Sequence, residues 1–228
     1  MSIAAALVAA AALGAVTPSM PARPLMVGVA SERLSPLTVG AYYYPWYDAA
    51  QWRLGHVEHA ALGEYSSRDD SVIAAHYGWA QRYGVDVFIC SWWGPLGYDD
   101  LTIREHLLPA PARGPTRIAL LYESPFRLGL TENRIVFGAR EREILLSDFD
   151  YLAETYFRDP AYYRVQGRPV VVLYVSRIFR GEYREAIGAL RRHVRERHDL
   201  ELYLVGDEVD WDIGPARSRI RLYDAITG

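Results

Sequence analysis

The sequence predicts an α/β fold with a parallel sheet, a (β/α)8 TIM-type barrel left incomplete at about six strands. Three observations predict it. From Leu37 to the C-terminus, strand-like apolar runs alternate with segments of helical period. Val85 to Ser91 is a near-continuous apolar run, as in a parallel strand buried on both faces. Polar and aromatic residues gather just after the first, second, third and fifth strand segments, where such a barrel holds its site. An open doubly wound sheet also satisfies the alternation. No GxGxxG follows a strand, however, and no Walker-type loop is present, so the usual marker of nucleotide binding is missing.

Residues 1–36 read as leader and linker, and 37–228 as the barrel domain. Ile3 to Val16 is an Ala-rich apolar run too short to span a bilayer, followed by Pro18, Pro21, Pro24 and Pro36. It resembles a signal-peptide core, although no Lys or Arg precedes it. Secretion or a periplasmic location follows as the expectation, with the cytoplasm as the alternative, and no stable membrane span is expected.

The elements follow in order. Leu37 to Tyr44 is the first strand. Asp70 to Tyr83 is a helix, with Val72, Ile73, Trp79, Ala80 and Tyr83 at helical spacing and Ser67, Asp69 and Asp70 as N-cap candidates. Val85 to Ser91 is the second strand, Leu101 to Leu108 a short helix, and Arg117 to Tyr122 the third strand. In the helix from Ala139 to Tyr156, Leu145, Phe149, Leu152 and Tyr156 fall on one face. Pro169 to Tyr174 is the fourth strand, and Glu182 to His198 a helix with Ala186, Ile187, Leu190 and Val194 on one side. Leu200 to Val205 is the fifth strand and Arg221 to Ile226 the sixth; the connection Val209 to Ile220 is too short and too rich in Pro and Gly for a full helix.

Composition excludes several functions. The net charge of −3 leaves no nucleic-acid footprint, and the basic run Arg191 to His198 lies on a helical pattern broken by Glu196, as on a solvated face. The single cysteine, Cys90, sits in a strand-like run as a buried thiol and allows neither an intrachain disulfide nor a cysteine-based zinc site. His56 and His59 form a metal-like pair without a third ligand, so no metal is expected. No GxSxG elbow is present. The 17 Tyr and 6 Trp together far exceed the 6 Phe, which fits rings that meet water or polar ligands.

Two aromatic clusters stand at strand ends: Tyr42-Tyr43-Tyr44-Pro45-Trp46-Tyr47, and Ser91-Trp92-Trp93-Gly94. They are either core aromatics or a pocket wall offering flat faces to sugar rings. Glu123 ends the third strand, where a carboxylate points into a barrel mouth. Asp207 and Glu208 end the fifth; adjacent strand residues alternate faces, so one should enter the pocket, and Asp207 is favoured. Glu123 and Asp207 are thus the candidate catalytic carboxylates. Tyr44, Trp46, Glu64, Trp92, Trp93, Tyr174 and Arg177 are the candidate substrate contacts, and Asp224 could point either way. Glu64 reads more readily as a plain loop acid, and Arg177 equally as a structural ion pair. Glycoside hydrolysis commonly takes two carboxylates across the scissile bond, and no pair is identified by spacing.

Several of these segments together resemble glycoside hydrolase family 99, the endo-α-mannosidases, and the wider family 99-like domains. The carrying residues are Tyr43-Tyr44-Pro45-Trp46-Tyr47, Gly63-Glu64-Tyr65-Ser66-Ser67, Gly84-Val85-Asp86-Val87-Phe88 leading into Ser91-Trp92-Trp93-Gly94, Tyr122-Glu123, the Tyr162 to Arg177 segment with Gly167-Arg168-Pro169-Val170, and Tyr223-Asp224-Ala225. The resemblance implies a (β/α)8 barrel that cleaves internal α-mannosidic bonds with retention and needs no redox cofactor. It implies an oligosaccharide or polysaccharide partner, sugar contacts from Tyr44, Trp46 and Trp92, and a pocket carboxylate at Glu123. The family's late WNEWxE-type motif does not occur here. The chain is therefore expected to be a fragment, or a relative that has lost the usual chemistry. No general acid or nucleophile is carried over, and a non-catalytic carbohydrate-binding relative is the alternative.

Overall fold

A computed structural model describes residues 37–54, 59–209 and 217–228. The first strand, β1, spans Gly40–Tyr43, followed by the short helix α1, Ala49–Trp52, which Asp48 caps by accepting from the Ala50 and Gln51 amides. Helix α2 is Asp70–Tyr83. Asp69 caps its start, and Gly84, at φ 72°, ends it in the left-handed conformation that costs glycine least. Next come β2 (Val87–Trp92), α3 (Tyr98–Thr102, which runs on into the wider turn Ile103–Leu107) and β3 (Arg117–Tyr122). After α4 (Ser124–Leu128) and β4 (Ile135–Phe137), the long helix α5 covers Ala139–Thr155. The second half holds β5 (Arg164–Val165), β6 (Arg168–Leu173), β7 (Phe179–Gly181), α6 (Tyr183–His198), β8 (Tyr203–Asp207), α7 (Arg217–Ile220) and β9 (Ala225–Thr227).

Six of these strands pair in parallel in the order β1-β2-β3-β6-β8-β9, curled as an incomplete (β/α)8 barrel. The strand order follows the chain, successive parallel strands being joined by crossovers that contain α2, α3, α5 and α6. β5 adds an antiparallel hairpin to β6, and β4 pairs with β7 as a small separate ribbon. Side chains alternate between two faces. Phe88, Cys90 and Trp92 of β2, Leu120 and Tyr122 of β3, and Leu173 of β6 face outward, into the core they share with Tyr77 of α2, Phe149 and Leu152 of α5, and Leu190 of α6. Val87, Ala119 and Val170 face inward. The inner face borders a hollow of about 290 Å³ lined by Tyr42, Ile89, Val172 and Val205, among others.

Some expected bounds shift. The first strand begins at Gly40 rather than Leu37. Arg221 to Asp224 is a turn and not strand, because the Asp224 carboxylate is drawn into ion pairs with Arg168 (2.7 Å) and Arg191 (2.8 Å) and accepts the Leu204 amide. The leader run and His56 lie outside the described residues. Among the described residues no helix is long and apolar enough to cross a membrane, and no group of His, Cys, Asp and Glu is placed to hold a metal ion.

Candidate functional site

Strand register builds the site. Trp92, Tyr122, Leu173 and Gly206 are level across β2, β3, β6 and β8. One residue on, Trp93, Glu123, Tyr174 and Asp207 form a row at the C-terminal ends of the strands, in the inward phase set by Val87, Ala119 and Val170. Tyr44 extends β1 beyond Tyr43, which pairs with Cys90, and so stands level with Ser91. The hollow of the inner face is lined mostly by apolar side chains, and Glu123 is not among its lining; it lies in the row at the strand ends.

The rim carries a continuous run of rings. Tyr44 lies 4.8 Å from Trp46, Trp46 meets Trp93 edge-on at 4.7 Å, and Trp93 stacks on Phe126 at 3.8 Å. Phe126 is 59 % exposed. Sequence reasoning missed it. Its signal was Pro125, in the first turn of α4 just after Glu123, which brings Phe126 back within a turn, its amide donating to the Glu123 carbonyl.

Trp92 must be corrected. Its side chain points outward, is wholly buried, stacks with Tyr122 and Tyr151, and donates its indole N–H to Asp100 at 2.7 Å. Asp100, itself buried, also accepts from the Leu96 amide and from the Tyr151 and Tyr156 hydroxyls. A ring locked in that network offers no face to a sugar; the partly exposed member of the pair is Trp93.

Glu123 is 4 % exposed. Burial pushes its carboxyl up to about 7, the negative charge of Asp99 adds to the rise, and hydrogen bonds from Ser91 and Trp93 oppose it. Ser91 donates to Glu123 Oε1 at 2.5 Å, and the Trp93 indole N–H donates to Ser91 Oγ at 2.9 Å. Asp99, pushed by burial up to about 6, accepts the Trp93 amide at 2.6 Å. Tyr44 and Tyr174 are raised first by burial and next by the Glu123 charge, which marks both as its neighbours.

Asp207 is in the row, but both its oxygens are engaged. Oδ2 accepts the Val175 amide at 2.8 Å, and Oδ1 pairs with Arg177 at 2.6 Å. Val175 has φ 46°, a strained left-handed conformation for a β-branched residue, and the Asp207 contact holds it there. This geometry suits an anchor of the turn after β6 better than a proton carrier, and it answers the Arg177 alternatives with an ion pair. Glu208 accepts from Ser176 at 2.9 Å and pairs with Arg219. Glu64 is exposed in the loop after β1 and takes no part in the hydrogen-bonded row.

A curled parallel sheet with a ring-lined, carboxyl-bearing rim also occurs in solved structures. The endo-α-mannosidase of Bacteroides thetaiotaomicron, from glycoside hydrolase family 99, superposes with TM-score 0.59 at 18 % identity over 82 % of this chain. Over that span the chain is similar in fold to this family 99 enzyme. The match covers 57 % of that enzyme in complex with bis-tris propane and 60 % of it in a second structure. A glycoside hydrolase-like protein superposes with TM-score 0.61 at 20 % identity over 76 % of this chain and 52 % of its own. In sequence, the mouse glycoprotein endo-α-1,2-mannosidase is 26 % identical over 172 aligned residues, covering 60 % of this chain. The chain spans 36 % of that relative's length. No protein-family model matches the chain. The resemblance to family 99 thus appears both in overall fold and in a distant sequence match.

Proposed function

We propose that this chain is a glycoside hydrolase-like domain whose rim takes an oligosaccharide, an α-mannoside or a related polysaccharide segment. The observation that carries the reading is the run Tyr44, Trp46, Trp93 and Phe126 beside the buried Glu123 carboxyl. Stacked rings give CH–π area to sugar faces, and a carboxyl held near neutral titration can accept from a sugar hydroxyl or exchange a proton with it. Tyr174, 36 % exposed and level with Glu123, adds a hydroxyl to the same rim. Export from the cytoplasm, expected from the leader-like run, accords with such a substrate.

A sugar-binding role without hydrolysis is the second reading, favoured by one observation. Retaining hydrolysis uses two carboxyl groups about 5–5.5 Å apart, and here Asp207 is committed to Val175 and Arg177. Calorimetric titration with α-linked mannobiose, together with an assay for released sugar, tests both. Binding lost in Trp93→Ala supports the rim. Turnover lost in Glu123→Gln with folding intact supports hydrolysis. No binding of any α-mannoside or polysaccharide fragment by the wild-type chain would sink the proposal.

A further inference from the structure

We propose that Ser91 is a positioning residue that ties the Trp93 ring to the Glu123 carboxyl, so that the orientation of the sugar platform and the proton on Glu123 are set together. The inference deepens the reading of the rim as a sugar site and rests on it for the word platform; the hydrogen-bonded link stands on the geometry alone.

An indole N–H can only donate, so the 2.9 Å contact fixes Ser91 Oγ as acceptor toward Trp93. The hydroxyl then has one proton to place, and Glu123 Oε1, 2.5 Å away, receives it. Ser91 is 0 % exposed, so water does not compete for these bonds. The chain of donors runs one way, from Trp93 through Ser91 to Glu123, and polarisation along such a chain favours the carboxylate. The same link restrains the ring, which is held by Phe126 and Trp46 on its faces and edge but at its nitrogen by Ser91. β2 supplies Ser91 in the inward phase, between Ile89 in the wall below and Trp93 at the rim.

The test is an NMR titration of the full chain, following the Glu123 side-chain carboxyl carbon and the Trp93 indole N–H from pH 4 to 9. In the wild type, both signals move through one common midpoint. In Ser91→Ala, the carboxylate loses a charge-assisted donor, so its midpoint rises by about one pH unit, or tenfold in proton affinity. The Trp93 N–H signal no longer follows the Glu123 midpoint and keeps only its response to Asp99, which accepts the Trp93 amide and is raised to about 6. Ser91→Thr, which keeps a hydroxyl, restores the common midpoint; should its methyl not fit, Trp93→Phe in an otherwise intact chain must leave the Glu123 midpoint closer to wild type than Ser91→Ala does. An unmoved Glu123 midpoint in Ser91→Ala, or a Trp93 signal that still follows the Glu123 midpoint there, overturns the link. Absence of mannobiose binding by the wild type would instead sink the sugar reading, while the two midpoints still decide the role of Ser91.

Discussion

Glu123→Gln should make the protein more stable at neutral and alkaline pH. In the folded chain the carboxyl is held up to about 7 by burial, against an ordinary 4.5 in the unfolded chain. The sign follows from proton binding. Below about pH 4.5 the group is protonated in both states and carries no penalty. Between that value and about 7, the folded state binds the proton and the unfolded state does not, so stability falls as pH rises. Above about 7 the folded state holds a buried carboxylate at its full cost. Each pH unit between the two values is worth about 1.4 kcal/mol, which makes the cost about 3 kcal/mol as an upper figure. Gln is close in shape, still accepts from Ser91 and never ionises, so the variant escapes the decline. The assay is urea unfolding of both proteins at half-unit intervals from pH 4 to 9. Asp99, raised to about 6, adds a decline common to both, so the difference between the curves is the quantity read. It should be small at pH 4 and climb to a plateau by about pH 8. Parallel curves over the whole range would refute the claim that Glu123 is buried with an elevated titration.

The remaining predictions separate the rim from the core. Trp92→Ala, which empties a fully buried site and strips Asp100 of a donor, should cost about 3–5 kcal/mol in denaturant unfolding, whereas Trp93→Ala should cost far less and abolish sugar binding by calorimetry. Asp207→Ala releases the strained Val175 turn and the Arg177 pair; a loss of about 2–3 kcal/mol is expected by the same unfolding assay. Burial pushes Asp150 upward, but hydrogen bonds from His198 and His193, both at 2.7 Å, outweigh it and hold the carboxyl below its ordinary 3.8. Its share of stability is therefore present above pH 3.8 and lost as pH falls below it, so melting temperatures of the wild type and Asp150→Asn should differ at pH 6 and converge toward pH 2.5.

The parallel sheet was legible because its signals are local. Arg117–Tyr122 and Asp70–Tyr83 occur where apolar run and helical period place them, with Asp69 and Gly84 as the caps. The β4–β7 ribbon was not, since three-residue strands, Ile135–Phe137 and Phe179–Gly181, far apart in the chain carry no period of their own and exist only once the loops after β3 and β6 lie side by side. Within the site, Glu123 was readable from its place at a strand end, and Trp92 was misread for a physical reason that was available. Adjacent strand residues face opposite ways, the rule applied to Asp207 and Glu208, and it equally forbids Trp92 and Trp93 from sharing one wall. The commitment of Asp207 was hidden because its partners, Val175 and Arg177, are 32 and 30 positions distant and meet it only through the register of β6 on β8.

The geometry also says which residue organises the rim. Trp93 donates its amide to Asp99, its indole N–H to Ser91 and through it to Glu123, and packs its ring between Trp46 and Phe126. Two carboxyls with raised titration, Asp99 and Glu123, thus sit on opposite polar ends of one side chain and its own backbone. Ionising either makes the other harder to ionise, which is how neighbouring acids come to hold different protonation states at one pH. On the proposed reading of the rim as a sugar site, the ring and its N–H, which reaches an acid through Ser91, would join recognition to proton state within a single residue. Trp93→Phe dissects that arrangement as Trp93→Ala cannot: it keeps stacking area and the amide to Asp99 and removes only the indole donor. If sugar affinity then survives while its pH dependence changes, the ring and the nitrogen have separate tasks; if affinity collapses with the nitrogen alone, orientation of the ring by Ser91 is what the rim depends on.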